Sequence, residues 1–389
     1  MTRLAGSSKL LRAMNESATL ALLLERGTLT RAELRELTGL SKPTTSDVLR
    51  TLTDAGFATV IGHTSGGPGP NAEIYAVNPS AAHVVAITAR DVLVTAQPAI
   101  GGALCDLAGA VLARHEYDVD ASDPVTTVKQ TVADLCRRAD LETAAVTHIH
   151  LSVPGSYDPV SDTIHHIDVA GWGRPGLTAE LAAKLDTTVS ADNDVNLAAI
   201  AERHRGVGAG TSGFTLVWFG AGLGCAIDLG STLLRGVSGG AGELGYVPIG
   251  QQPGQDLQDL VGGPAVLALA GEHGFAAKTP EAAVADAVSK PDGLPFLKQL
   301  AEKIALALAS VSAILDPPLL VLAGEVAQAG GAVLRDLVVE AFHQMTPLST
   351  PVAVTALTDD AALLGALDAG LRTVRDALID SLRHALTPG

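Results

Sequence analysis

Apolar residues recur at helical spacing from about Lys9 to Arg26, and Gly27 stops the pattern. Asn15, Glu16 and Ser17 precede the apolar run and Glu25-Arg26 closes it, so the segment reads as an amphipathic helix rather than a secretion signal. Thr30-Arg31-Ala32-Glu33 has the spacing of a capping box, which predicts a short helix over 31–38. Gly39-Leu40 supplies a turn. Ser41 then caps a third helix, Lys42 to about Ala55, with Pro43 in the first turn, where a missing N–H is tolerated. Val48, Leu49 and Leu52 form its apolar stripe. After Gly56 come two short β runs, Phe57–Ile61 and Ile74–Val77, joined by the loop HTSGGPGPNAE. Helix, helix, turn, helix and hairpin is the order of a winged helix-turn-helix.

Beyond Asn78-Pro79 the pattern shortens to strands: His83–Thr88, Val92–Ala96, Gly101–Asp106 and Val111–Tyr117, with a hairpin turn at Asp106–Gly109. A helix over Pro124–Ala139 leads to a buried strand, Val146–Val153. This β-β-β-α-β order predicts half of an α/β domain with a mixed sheet. A second half begins near Phe214 with strands Thr215–Phe219 and Cys225–Leu229 and further strand near Leu233-Leu234. A long helix, Phe296–Leu315, ends at Asp316-Pro317-Pro318 before the buried strand Leu319–Ala323. The last helix, 360–386, is expected to return along the outside.

Composition narrows this picture. The chain has 389 residues, of which 47% are hydrophobic and 17% charged, enough for two or three domains with a real core and too apolar for disorder. No run reaches the roughly 18 uncharged apolar residues of a membrane span. Cys105, Cys136 and Cys225 lie far apart and form no CxxC pair, which leaves no disulfide framework or cysteine zinc cluster and makes the cytoplasm the expected location. The net charge of −16 is unevenly placed: residues 1–80 hold eight Lys and Arg against seven Asp and Glu. Phosphate repels the acidic remainder but not this front segment. On the third helix, Lys42, Thr44, Thr45, Ser46 and Arg50 are polar and lie near its N-terminal end or outward side, where short donors reach base edges. The hairpin loop carries no Arg or Lys, so no wing cation enters a minor groove.

Five patches of the body carry candidate chemistry. Ser152-Val-Pro154-Gly155 ends a strand in a tight turn. Asn193 and Asp194 follow another strand and open a helix, at the strand end where α/β folds bind ligands. An amide beside a carboxylate suits vicinal hydroxyls, since one donates and accepts while the other accepts strongly. Phe219-Gly-Ala-Gly-Leu-Gly224 is a Gly-rich turn fit for a phosphate or for close backbone packing. Glu243 stands in the Gly-rich bend Gly239–Tyr246, in a capping or ligand role. Ala323-Gly324-Glu325 opens a helix after the last buried strand.

In that order these patches resemble the ROK family (repressors, open reading frames and sugar kinases). The resemblance rests on GWGRPGLTAELAAKL with its Trp172, DTTVSADNDVNLAAIAE, FGAGLGCAIDLG, GGAGELGYVPIG and ILDPPLLVLAGEV, together with the front segment RAELRELTGLSKPTTSDVLRTLTDAGF. It implies a winged helix-turn-helix over residues 1–79, then a two-lobed, actin-like, hexokinase-type (ribonuclease H-like) ATPase fold over 80–389, with lobes of about 80–195 and 196–389. The family's kinases carry an Asp-x-Gly-x-Thr phosphate loop, whereas Ile87-Thr-Ala-Arg-Asp91 has no glycine. Their Gly-Glu-x-Gly-His motif ends here in Tyr246, and the zinc knuckle that follows is replaced by Gln251-Gln-Pro-Gly-Gln-Asp-Leu-Gln258-Asp259, which offers no thiolate or imidazole. The family's trailing Glu corresponds to Gln258 or to Asp259.

Asp194 matches the family's general base, but a base without a positioned nucleotide performs no phosphoryl transfer. The resemblance therefore implies a regulator, a repressor, without catalytic residues, metal or cofactor. It would bind operator DNA as a dimer or dimer of dimers, and sense a sugar or sugar phosphate through Asn193, Asp194, Glu243, Tyr246 and Gln258. The alternatives are a sugar kinase with an appended head and a regulator that senses a non-sugar metabolite.

Overall fold

The computed structural model describes residues 4–64, 71–90, 99–167, 169–230, 232–250, 254–357 and 360–384. The front segment holds α1 (Leu4–Arg26), β1 (Thr28–Thr30), α2 (Arg31–Thr38), α3 (Lys42–Asp54), β2 (Ala58–His63) and β3 (Glu73–Val77). Thr30 and Glu33 form the expected reciprocal capping box, and Gly39 closes α2 in the left-handed region at φ 69°. Ser41 caps α3 through the Thr44 amide. Its strands order as β1-β3-β2, all antiparallel. The Arg31 guanidinium bonds Tyr75 Oη and Glu73, which ties α2 to the hairpin. The middle of the hairpin loop, residues 65–70, lies outside the described residues.

The first lobe runs through β4 (His83–Ala89), β5 (Ile100–Asp106), β6 (Val111–Tyr117), α4 (Pro124–Arg138), β7 (Val146–Val153), β8 (Ser156–Asp158), β9 (Thr163–His165), α5 (Leu177–Leu185), β10 (Thr188–Asn193) and α6 (Asp194–Arg205). Five strands form a mixed sheet ordered β10-β7-β4-β5-β6, with β10, β7 and β4 parallel. Asp106 accepts from the Gly109 and Ala110 amides and so makes the expected β5–β6 turn. The expected strand Val92–Ala96 lies outside the described residues. Trp172 is fully buried, its indole N–H bonded to the Ala121 carbonyl at 2.8 Å.

The second lobe contains β11 (Phe214–Phe219), β12 (Leu223–Asp228), α7 (Leu257–Val261), α8 (Gly263–Glu272), α9 (Pro280–Val288), α10 (Leu294–Leu315), β13 (Leu320–Ala323), α11 (Glu325–Met345) and β14 (Val352–Val354), and it is followed by α12 (Ala361–His384), which packs on the first lobe. Its sheet, β12-β11-β13-β14, has four strands to the first lobe's five. The strand expected near Leu233-Leu234 reduces to a single bridge between Leu233 and Asp228.

The last helix departs from expectation. Instead of lining the outside, α12 packs along α6, crosses β4 and β7, and reaches α1. Leu363, Ala366, Leu367 and Leu371 are buried in one apolar cluster that also holds Leu20, Leu23, Leu34 and Leu52 of the front segment. Arg205 and His204 of α6 meet Asp368, and Arg383 donates to Ser17 at 3.0 Å. Periodicity marks this helix as amphipathic but does not say which neighbour its apolar stripe covers.

At Gly365 a side chain would strike the Leu197 carbonyl of α6, so the two helices touch through backbone. Gly365→Ala is expected to destabilise the chain by about 1–3 kcal/mol, the cost of overpacking a close contact. Chemical denaturation measures it. Gly271→Ala in α8, which meets nothing within 4 Å, serves as the control and should leave the midpoint unchanged or slightly higher.

Candidate functional site

A cleft of about 540 Å³ opens between the lobes. Strand ends and helix starts supply its walls, which is why short sequence patches far apart meet there. Pro154 and Gly155 follow β7, Asn193 and Asp194 join β10 to α6, and Ala221 and Gly222 turn β11 into β12. Glu243 and Tyr246 come from the Gly-rich bend, Gln258 from α7 and Glu325 from the start of α11. The five expected ligand residues thus all line one cavity.

Their hydrogen bonds divide them. Asn193 Oδ1 accepts from the Asn196 amide at 3.0 Å and caps α6, while Nδ2 donates to the Gly155 carbonyl and to Asp194 Oδ1, each at 3.1 Å. Its amide therefore mainly holds the strand end in place. Asp194 Oδ1 also accepts from the Val195 amide at 2.8 Å, and Oδ2 is the oxygen left for a ligand. Glu243 makes no capping bond through its side chain and lines the cleft. Gln258 Oε1 accepts from the Leu223 amide at 2.8 Å and pins the Gly-rich turn. Asp259 points elsewhere, exposed and engaged in a reciprocal cap with Asp256.

Backbone hydrogen bonds brace the Gly-rich turn. The Gly220 amide donates to the Gly222 carbonyl at 3.1 Å, and the Gly263 amide donates to the Ala221 carbonyl at 3.0 Å. Close backbone packing accounts for part of this turn. Where the resemblance places a phosphate loop, Arg90 leaves β4 and bonds Glu116 at 2.6 Å and Asp360 at 2.9 Å. Arg114 joins the same Asp360.

Two cleft residues escaped the sequence reading. His166 lines the wall with φ 56°, its ring 5.5 Å from that of Tyr246. No local pattern marks it. Glu325 had a place in a motif but no role; its Oε2 is buried and makes no hydrogen bond of good geometry.

Burial pushes the Asp194 carboxyl up to about 7, against the pull of the Val195 amide, with the charges of Glu325 and Glu243 adding to the rise. Burial likewise raises Glu325, partly offset by its own backbone amide, the Trp218 indole and Arg90. Such a carboxyl can hold or accept a proton near neutrality. Among the described residues no group of three His, Cys, Asp or Glu is arranged to hold a metal ion.

In the front segment, Lys42 and Arg50 are exposed, with Arg50 bonded to Asp47 at 2.9 Å. Thr44 and Ser46 are half-buried, and the Thr44 hydroxyl pairs with that of Ser41. Thr45 corrects the expectation: it is buried and its hydroxyl donates to the Ser41 carbonyl at 3.1 Å, so it faces the core rather than a base edge. The position lies on the same helical face as Val48, Leu49 and Leu52, and the hydroxyl is satisfied within the helix.

A mixed α/β body of two lobes, with a polar cleft between strand ends, defines the actin-like, hexokinase-type class. Within that class the chain belongs to the ROK family, which it matches over residues 97–371. A glucokinase of Halalkalibacterium halodurans is 25% identical over 258 residues, covering 59% of this chain and 78% of the relative. A xylose repressor of Bacillus spizizenii is 26% identical over 240 residues, covering 61% of this chain and 60% of the repressor. Among solved structures, a ROK family transcriptional regulator, a homologue of the E. coli MLC protein, superposes with TM-score 0.72 at 19% identity over 97% of this chain and 99% of that one. A ROK hexokinase from Thermus thermophilus superposes with TM-score 0.63 at 22% identity, over 76% of this chain and 99% of the hexokinase. No helix among the described residues is long and apolar enough to cross a membrane.

The raised Asp194 carboxyl opposes folding when ionised. Its native value of about 7 lies above the roughly 3.9 of an unfolded Asp, so its contribution to stability falls as pH rises from about 4 through 7. Asp194→Asn should therefore raise stability at pH 8 by about 1–2 kcal/mol, less than the full shift because the side chain faces an open cleft, and change little at pH 4. Thermal unfolding at the two pH values checks the sign.

Proposed function

We propose that this chain is a ligand-responsive transcriptional regulator, a repressor, that reads operator DNA through residues 1–79 and senses a sugar in the cleft of a non-catalytic, kinase-like body. One observation carries the reading: the likeness to the ROK transcriptional regulator runs through 97% of the chain, front segment included, whereas the ROK hexokinase covers 76%. The order of α1, α2, α3 and the β2–β3 hairpin fits a winged helix-turn-helix, with α3 as the helix that enters the major groove. Lys42, Thr44, Ser46 and Arg50 remain its candidate contacts. Two copies related by a two-fold axis would meet a pseudo-palindromic site with half-sites one or two helical turns apart.

The route from ligand to DNA follows the packing. Asp194 begins α6, α6 carries α12 on its backbone, and α12 reaches α1. Closure of the lobes on a ligand would tilt this pair and move the head. DNA affinity then changes by the ligand's differential affinity for the two states.

A kinase is the second reading, favoured by the glucokinase relative and by Asp194, whose carboxyl stands near neutrality as a general base requires. Against it stand the pairing of Arg90 with Glu116 and Asp360 and the lack of a glycine in the sequence Ile87-Thr-Ala-Arg-Asp91.

Fluorescence anisotropy on the DNA upstream of the chain's own gene tests the regulator reading. Salt-sensitive, sequence-selective binding is expected, and Lys42→Ala with Arg50→Ala should weaken it at least tenfold without changing the melting temperature. Undiminished binding by the double variant would overturn the assignment of α3. A coupled ATP-turnover assay over a sugar panel should stay at background; turnover abolished by Asp194→Asn would instead establish the kinase.

A further inference from the structure

The cleft is unevenly charged, and this bears on which ligand it takes. Asp194, Glu243, Glu325 and Asp360 all line it, while Arg90 is the one Arg or Lys among its described lining residues. That guanidinium already bridges Glu116 and Asp360. Glu325 closes the end of the cavity nearest the Gly-rich turn. A side chain on Gly220 would strike its Oε2, so the carboxylate lies directly on the turn that could otherwise have received a phosphate. The same Oε2 is buried and makes no hydrogen bond of good geometry, although the Trp218 indole pulls on the carboxyl, and a ligand O–H or N–H would satisfy it. The glycine's missing side chain makes the room this acid occupies.

Resting on the sugar-sensing reading above, we infer that Glu325 makes the cleft select an unphosphorylated polyhydroxyl ligand that directs a hydroxyl or protonated amine toward the Gly220 turn, and reject the phosphate ester of the same ligand. A phosphate monoester brings about 1.5 to 2 negative charges at neutral pH into a wall of carboxylates whose single guanidinium is already paired. A polyol brings hydroxyl donors and no charge. A protonated amine adds the cation that the wall lacks, so amino sugars should bind at least as well as neutral ones.

Isothermal titration with D-glucose, D-glucosamine and N-acetyl-D-mannosamine, each against its 6-phosphate, tests the inference on the full chain. At least one free sugar should bind, at least tenfold more tightly than its ester. Glu325→Gln, which keeps the shape and removes the charge, should narrow that ratio at least fivefold; Glu325→Asp, which keeps the charge, should preserve the preference for the free sugar. An ester that binds as well as its parent overturns the inference while leaving sugar sensing intact, and so does a ratio unmoved by Glu325→Gln in a variant that melts like the wild type. Silence from every member of the panel overturns both readings.

Discussion

The backbone contact between α6 and α12 organises this molecule. At Leu197 and Gly365 the helices approach more closely than any side chain allows. The Arg205–Asp368 ion pair, with His204 Nδ1 close to the same carboxylate, adds a second anchor toward the end of α6. Because α6 starts at the floor of the cleft and α12 extends to α1, one rigid contact joins the ligand cavity to the front segment. The shared apolar cluster around Leu20, Leu52, Val84, Leu197 and Leu367 packs closely across that join.

Several polar groups on the cleft walls satisfy one another. Arg90 is held by Glu116 and Asp360, the glycines of the turn bond one another, and Gln258 braces the turn through Leu223. These interactions brace the walls of the cleft. Ligand-facing groups such as Asp194 and Glu325 are held at a cost, since burial disfavours their ionised forms. Keeping such strain at one place is the usual mark of a binding site.

Membership of the ROK family leaves both regulators and kinases as relatives, and the regulator proposal rests on local chemistry. A kinase must enclose phosphates with amides and cations. This cleft presents carboxylates, and the front segment adds a helix bearing exposed Lys42 and Arg50.

Much of the fold was legible because its signals are local. The Thr30–Glu33 box, the Ser41 cap and the Asp106–Gly109 turn each depend on residues within four positions, and strands such as Val146–Val153 declare themselves by composition. The Asn193-Asp194 step and Glu243 could be placed in one cleft because family order supplied the long-range information. Tertiary structure alone decided the rest: that Thr45 faces the core, that Gln258 braces a turn while Asp259 caps a helix, and that His166 joins the wall. It also sent α12 inward, and it set Glu325 against a glycine more than a hundred residues away. Sequence periodicity records which side of an element is apolar. Which partner meets that side, and which polar atom is left unpaired there, depends on contacts between residues far apart in the chain, and these exist only once it has folded.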